Sequence, residues 1–310
     1  MGWTLLALWV LGCSQETTEQ PPGPVGDQHG EGAFQLEIVP PGDQKPGMAA
    51  ILGKVNDGPN PELIVWESAS IENACELLVP RIPFCYPSCP NLSACVEDDV
   101  CQEYPSALDV GTVTVDGVET TDGETRFTMD PIAGYYQPAA TIDLAIPPFA
   151  EGGVVTFTAS GTPTAAPFTL TATGVSALEV LSESITLEDG EPVVVQWVPP
   201  AEPSLSTVLV SVNISYHGGT KGRIICRTPD TGVLELSGPI LDELKALGVS
   251  GWPMMVFTRT SRSHTEPEMP VELIIESSVT QFVNIPGLTS CDSDADCPDG
   301  LTCQADFQCG

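Results

Sequence analysis

The residues in this 310-residue chain with the most chemistry to offer are eleven cysteines, nine of which fall in two tight clusters. One cluster is Cys75 followed by Cys85-x3-Cys89-x5-Cys95-x5-Cys101, and the other is Cys291-x5-Cys297-x5-Cys303-x5-Cys309. Sulfur at such spacing either ligates a metal or forms disulfides. Neither cluster contains a histidine, and the Cys-x2-Cys pair common in zinc sites is absent from both. The clusters therefore read as disulfide staples made in an oxidising compartment. Four cysteines allow three pairings. The expected one joins first to third and second to fourth: Cys85–Cys95 with Cys89–Cys101, and Cys291–Cys303 with Cys297–Cys309, the other pairings standing open. Cys75 and the isolated Cys226 are left over, and by arithmetic they bond to each other.

Carboxylates offer a second chemistry. Asp292, Asp294 and Asp296 stand two apart with Asp299-Gly300 behind them, the spacing of an oxygen-rich calcium loop. The run is similar to the acidic repeats of thrombospondin type 3, but Cys297-Pro298 stands where those have glycine. The competing account is a solvated acidic loop held between disulfides, with no cofactor. Asp230-Thr231-Gly232 copies the catalytic triplet of aspartic proteases. Two carboxylates must share a proton in that chemistry, and no second copy of the triplet occurs here. A turn joining two strands explains it without catalysis. The only histidines are His29, His217 and His264. No Gly-x-Ser-x-Gly elbow and no phosphate-cradling glycine loop accompanies them. Six of the ten basic residues lie between Lys221 and Arg262. Arg223, Arg227 and Arg259 on adjacent strands would make a basic patch for an acidic glycan or protein partner. The rival is internal salt bridging to Asp230, Glu235, Asp242 and Glu243.

The elements that must position these groups are short strands. Phe34–Ile38, Ala49–Val55, Leu63–Trp66, Val110–Val115, Thr141–Ile146, Val154–Thr158 and Phe168–Thr173 are rich in Val, Ile and Thr or alternate in polarity. Val193–Val198, Val208–Ile214, Arg223–Cys226, Trp252–Thr258 and Val271–Glu276 continue the series. Asp116-Gly117, Asp189-Gly190 and His217-Gly-Gly219 supply turns between them. Trp197 is placed as a core plug. One helix is expected from Ser237-Gly-Pro239 to Gly248, with Ile240, Leu241, Leu244 and Leu247 as its apolar face. The fold class is mainly β: an antiparallel β-sandwich with one short helix, flanked by two small disulfide-rich modules.

At the N-terminus an apolar run closes in Val10-Leu-Gly-Cys13, which resembles the lipobox of bacterial lipoprotein signal peptides, Cys13 taking the lipid. The run lacks Lys and Arg and is short for a signal, which points to a start upstream of Met1. Ser14 to Gly32 is Gln, Glu, Thr, Pro and Gly, the composition of a tether. The expected organisation is 1–13 signal and lipidation site, 14–33 tether, 34–74 N-terminal strands and 75–105 cysteine-rich module. A β-sandwich over 106–286 and a second cysteine module over 287–310 complete it. Regular structure is not expected in the first module, because Pro80, Pro83, Pro87 and Pro90 break it up. No run after the leader approaches the ~20 apolar residues of a spanning helix. Forty-two acidic against ten basic residues, net −32, exclude nucleic acid as a partner.

Paired cysteine modules around a β domain, with Pro83-Phe84-Cys85, Val96-Glu-Asp-Asp-Val-Cys101, His217-Gly-Gly-Thr-Lys-Gly222 and Cys291-Asp-Ser-Asp-Ala-Asp-Cys297-Pro, resemble uncharacterised surface lipoproteins of the myxobacterial type. The resemblance covers most of the chain. It implies an extracytoplasmic place at the outer membrane or cell surface of a Gram-negative bacterium, and no activity. The functional expectation is a lipid-anchored structural or binding module with a glycan or protein partner. The alternatives are an extracytoplasmic hydrolase with an unrecognised site and a calcium-stabilised adhesin.

Overall fold

Phe34, Leu36 and Ile38 are fully buried while Gln35 and Glu37 between them are not, and this period-two alternation builds the whole molecule. The structure is a computed structural model and describes residues 32–41, 46–264 and 270–310. Along the chain the strands are β1 (Gly32–Val39), β2 (Met48–Val55), β3 (Val65–Glu72), β4 (Cys75–Arg81), β5 (Ser93–Glu97) and β6 (Val100–Glu103). They continue with β7 (Val113–Asp116), β8 (Arg126–Met129), β9 (Val154–Ala159), β10 (Phe168–Thr173), β11 (Ile185–Thr186) and β12 (Val193–Gln196). The helix α1 (Gly238–Ala246) lies among β13 (Thr207–Tyr216), β14 (Arg223–Pro229), β15 (Val233–Leu236), β16 (Trp252–His264) and β17 (Val271–Asn284).

One large sheet runs in the order β2-β1-β17-β16-β13-β14-β4-β3, with β11 added beside β17. Its neighbours are antiparallel except β1 and β11, each parallel to β17. Two smaller sheets lie on one face of it. The four-stranded β10-β9-β7-β8 covers one half, and the pair β12-β15 with α1 covers the other. The result is sandwich-like, mostly β, with two cores side by side under one long sheet. Phe34, Tyr136 and Phe157 anchor the first, their ring centroids 5.6 Å apart from Phe34 to each of the others. Trp197, the largest fully buried side chain, fills the second. On β17 the buried residues Val271, Leu273 and Ile275 face the first core and Val283 the second. Each fully buried aliphatic side chain is worth roughly 1.5–3 kcal/mol, so the two long strands β16 and β17 tie the cores into one body.

Helix α1 follows expectation. Ser237 is the N-cap residue, Pro239 sits in the first turn, and Gly248 takes φ +93° just past the end. Ile240, Leu241 and Leu244 are buried in the second core, and the Ser237 hydroxyl donates to Glu72 on β3.

Several expectations are corrected. Thr141–Ile146 is not a strand. It makes the isolated bridge Thr120–Leu144 and packs Leu144 on the first core, and Pro147, Pro148 and the turn at Ala139 keep it from extending into a ladder. The segment 34–74 does not act as one piece, since β1 and β2 form one edge of the large sheet and β3 the other. Regular structure does occur in 75–105. Cys75 heads β4 inside the large sheet, and Cys95 and Cys101 face each other across the β5–β6 hairpin. The prolines that were to break this region fall mostly in the loop between β4 and β5. Cys13, most of the tether and His29 lie outside the described residues.

Candidate functional site

All five expected disulfides are present: Cys75–Cys226, Cys85–Cys95, Cys89–Cys101, Cys291–Cys303 and Cys297–Cys309. Cys75 and Cys226 are registered opposite one another on β4 and β14, buried at the rim of the second core. Among the described residues, the only trios of metal-ligating atoms within 4.8 Å of one another are cysteines already in these bonds. The bonds fit an extracellular or secreted setting.

The aspartates of the second module do not converge on an ion. Asp296 Oδ2 accepts hydrogen bonds from the amides of Asp292 and Ser293 and from the Ser293 hydroxyl, at 3.0, 2.9 and 3.1 Å. Those donors hold its carboxyl below the usual aspartate range, the Ser293 amide most strongly. Asp294 accepts from the Cys303 amide at 2.8 Å. Asp294 and Asp296 thus hold the loop's own backbone. Asp299 is exposed and takes no part in this arrangement.

Arg259 separates from Arg223 and Arg227. On β16 it shares parity with Met255 and Phe257, so it points inward to the seam between the two cores, 1% exposed. There its Nε lies 2.6 Å from Asp230 Oδ2. Asp230 also accepts from Trp197 Nε1 at 2.7 Å and from the Ser206 hydroxyl at 2.6 Å. The guanidinium donates further to the carbonyls of Ser176, Ala177 and Val198, and so clamps the segment that passes from β10 to the second small sheet. The protease-like triplet is thus one half of a buried ion pair, at a corner where the chain leaves the large sheet for the small one. Gly232 makes that corner at φ +91°. Arg223 and Arg227 lie on the outer face of β14. Arg223 stacks over Trp66 at 4.0 Å, and burial, then Arg227, push its guanidinium below its ordinary value. Arg227 lines an outer-face hollow of about 750 Å³ with Arg262, Glu272 and Glu276. Opposite charges share that hollow, and the three-arginine patch does not exist.

A different site emerges where the second cysteine module docks on the end of the large sheet. Tyr216 ends β13 and pairs with Trp252 at the start of β16, His217 follows in the turn, and Phe282 stands near the end of β17. The module is fastened to this end through Gly251. Its N–H donates to the Asp306 carbonyl at 2.7 Å, while its own carbonyl accepts from Ser290 Oγ and Gln308 Nε2 at 2.7 and 2.6 Å. Only glycine fits there. The backbone has φ +62°, and a Cβ would stand 1.8 Å from the Tyr216 carbonyl oxygen. Docking brings Phe307 and Asp292 beside the four sheet-end residues around an open cleft of about 510 Å³. That volume falls within the usual range for small-molecule sites, which are mostly apolar with few polar groups.

The walls form a chain of rings. Centroids lie 4.0 Å apart for Tyr216–His217, 5.9 Å for His217–Trp252 and 5.5 Å for Trp252–Phe307. His217 and Phe307 both hold positive φ, +63° and +60°. For bulky side chains that conformation carries on the order of 1–3 kcal/mol of strain and persists only where the surroundings over-determine it. Here the Phe307 N–H donates to Gln304, and its carbonyl accepts from Cys291, inside the disulfide cage. Phe282 is 70% exposed at the open side of the cleft. Sequence reasoning placed His217 at a hairpin tip and Asp292 in a calcium loop. It missed the cleft, because its rings come from four places between residues 216 and 307, and no local pattern links them.

Comparison with known proteins adds little. No family model matches the chain, and no curated protein does. Among solved structures the chain is similar to the crystal structure of chicken CNTN1 FN1–FN3 domains, at 9% identity over 76% of this chain and 72% of that one. The TM-score of 0.17 is too low for that overlap to bear on fold or function, so the sandwich-like architecture stands on its own strands and disulfides.

Proposed function

We propose that the protein is a binding module of the cell exterior, held to the outer membrane of a Gram-negative bacterium by a lipid on Cys13, with the cleft beneath Phe307 as its ligand site. One observation carries the binding assignment: two separately stapled parts of the chain come together to wall a preformed aromatic cavity with a single carboxylate. The anchor is supported by Val10-Leu-Gly-Cys13 and the polar stretch behind it. Strand direction agrees with it. Gly32, where β1 begins, pairs with Val271 at the start of β17, and Phe282 lies eleven residues further along that strand. At about 3.3 Å per residue the cleft is roughly 36 Å along β17 from the tether, so an N-terminal anchor presents it away from the membrane. A hydrolytic function has no support of its own, because the Asp230 carboxylate is buried and locked to Arg259.

Tryptophan emission, with Trp252→Phe as the reference for the other tryptophans, reports on the cleft. A panel of sugars, amines and organic acids is expected to contain at least one ligand that changes that emission, with the response lost in Phe282→Ala. A panel without such a ligand, or responses that survive the substitution, would refute the binding site. Intact-mass analysis of natively expressed protein tests the anchor, which falls if Cys13 is unmodified.

A further inference from the structure

We infer that the ligand of this cleft is a small organic cation carrying a quaternary ammonium group. The inference rests on the cleft being a ligand site and goes further by naming the chemistry that fits it.

The first argument is the angle between the rings. Tyr216 and His217 are inclined by 62°, His217 and Trp252 by 86°, and Trp252 and Phe307 by 39°. No two successive rings in this series are parallel. A flat aromatic ligand needs parallel faces to slot between, and a sugar ring lies on a flat platform. A compact, nearly spherical group touches several inclined faces at once, and the trimethylammonium group has that shape. The negative face of each ring attracts positive charge within about 6 Å of its centroid, and indole does so most strongly.

The second argument is polar inventory. The lining residues are Tyr216, His217, Trp252, Phe282, Asp292 and Phe307. No Lys, Arg, Asn or Gln is among them; beside Asp292 the polar groups are the Tyr216 hydroxyl, the His217 imidazole and the Trp252 indole N–H. The one full charge in the wall is a carboxylate, matched to a cationic head that carries no N–H and needs a countercharge and π faces. The body as a whole is acidic, net −32. Its field concentrates cations and repels anions. The third argument is rigidity. The Phe307 backbone is held by its hydrogen bonds to Gln304 and Cys291 inside the disulfide-stapled module, which lowers the ordering cost of binding.

The test uses calorimetry and Trp252 fluorescence on the full, disulfide-intact chain. Tetramethylammonium and choline are titrated beside 3,3-dimethylbutan-1-ol, the neutral compound shaped like choline, and beside methyl glucoside. The cations are expected to bind at least about tenfold more tightly than the neutral alcohol, the sum of several exposed cation–π contacts of about 0.5–1 kcal/mol each. Asp292→Asn and Phe282→Ala, at an exposed carboxylate and an exposed ring, leave the fold intact and are each expected to weaken choline by about three- to tenfold. Equal binding of alcohol and choline, or binding of methyl glucoside alone, overturns the inference while the cleft remains a ligand site. If no probe binds and no wider panel perturbs Trp252, the inference and the site fall together. Capture by phosphatidylcholine vesicles without binding of free choline overturns it as well, by assigning the surface to lipid headgroups.

Discussion

Replacing Arg259 by methionine keeps most of the side chain's length and removes its charge and all its donors. The structure sets the size of the effect. Asp230 is 0% exposed and would keep only Trp197 Nε1 and the Ser206 hydroxyl as donors, while the carbonyls of Ser176, Ala177 and Val198 would lose the guanidinium. Breaking a buried ion pair from one side costs about 3–5 kcal/mol, because the remaining charge stays desolvated without a partner. For a domain of this size each kcal/mol shifts Tm by roughly 2–4 °C, so a fall of about 10 °C is expected. Urea unfolding followed by circular dichroism, at constant m, measures the loss directly. Arg262→Met is the control: Arg262 is half exposed, meets Glu272 at 3.4 Å, and should change stability by no more than about 0.5 kcal/mol. The double substitution Arg259→Met with Asp230→Leu should recover a large part of the loss, since well-packed apolar residues often replace a buried pair without harm. A single-variant loss below about 1 kcal/mol, or a double variant as unstable as the sum of the singles, would refute the assignment of the seam to this pair.

Removing Cys75–Cys226 by paired alanine substitutions should destabilise the protein by about 5 kcal/mol in the chain-entropy account, against about 3 kcal/mol for Cys291–Cys303. The two bonds span 151 and 12 residues respectively, and denaturant titration under non-reducing conditions gives the comparison. Gly251→Ala should undock the second module, seen as faster amide exchange and proteolysis over 286–310 with β13 to β17 still protected. Unchanged protection there would contradict the close approach to Tyr216. The lowered carboxyl of Asp296 stabilises its loop above the ordinary aspartate pKa of about 3.9, and that contribution is lost as pH falls through the lower folded value. Amide exchange at Asp292 and Ser293, corrected for intrinsic rates, should therefore stay slow at pH 5 and accelerate only below about pH 4. Millimolar calcium should leave Tm unchanged, because Asp294 and Asp296 are already used by backbone amides. A rise of several degrees would restore the calcium-loop account.

Much of the scaffold was legible in local pattern. Alternation in Phe34–Ile38 and Val208–Ile214, the Pro239 and Gly248 brackets of α1, and the first-to-third, second-to-fourth spacing of the cysteines each depend on a few neighbouring residues. Parity along β16 would also have placed Arg259 on the face of Met255 and Phe257, had charge not drawn it to the surface in the reading. The short strands β5, β6, β8 and β11 were missed, since each is defined by its partner more than by its own residues.

Composition, local alternation and cysteine spacing determined the mostly β architecture, the oxidised staples and the strongly acidic character, because these are sums over residues or properties of a few adjacent positions. Only the tertiary structure decided that β16 and β17 carry two cores, that Arg259 meets Asp230 in the seam, and that Tyr216, Trp252, Phe282 and Phe307 share one cavity. Those facts depend on strand order and on the docking at Gly251. Each contact joins residues whose separation along the chain is closed by the packing of elements between them, and no local periodicity encodes such a distance.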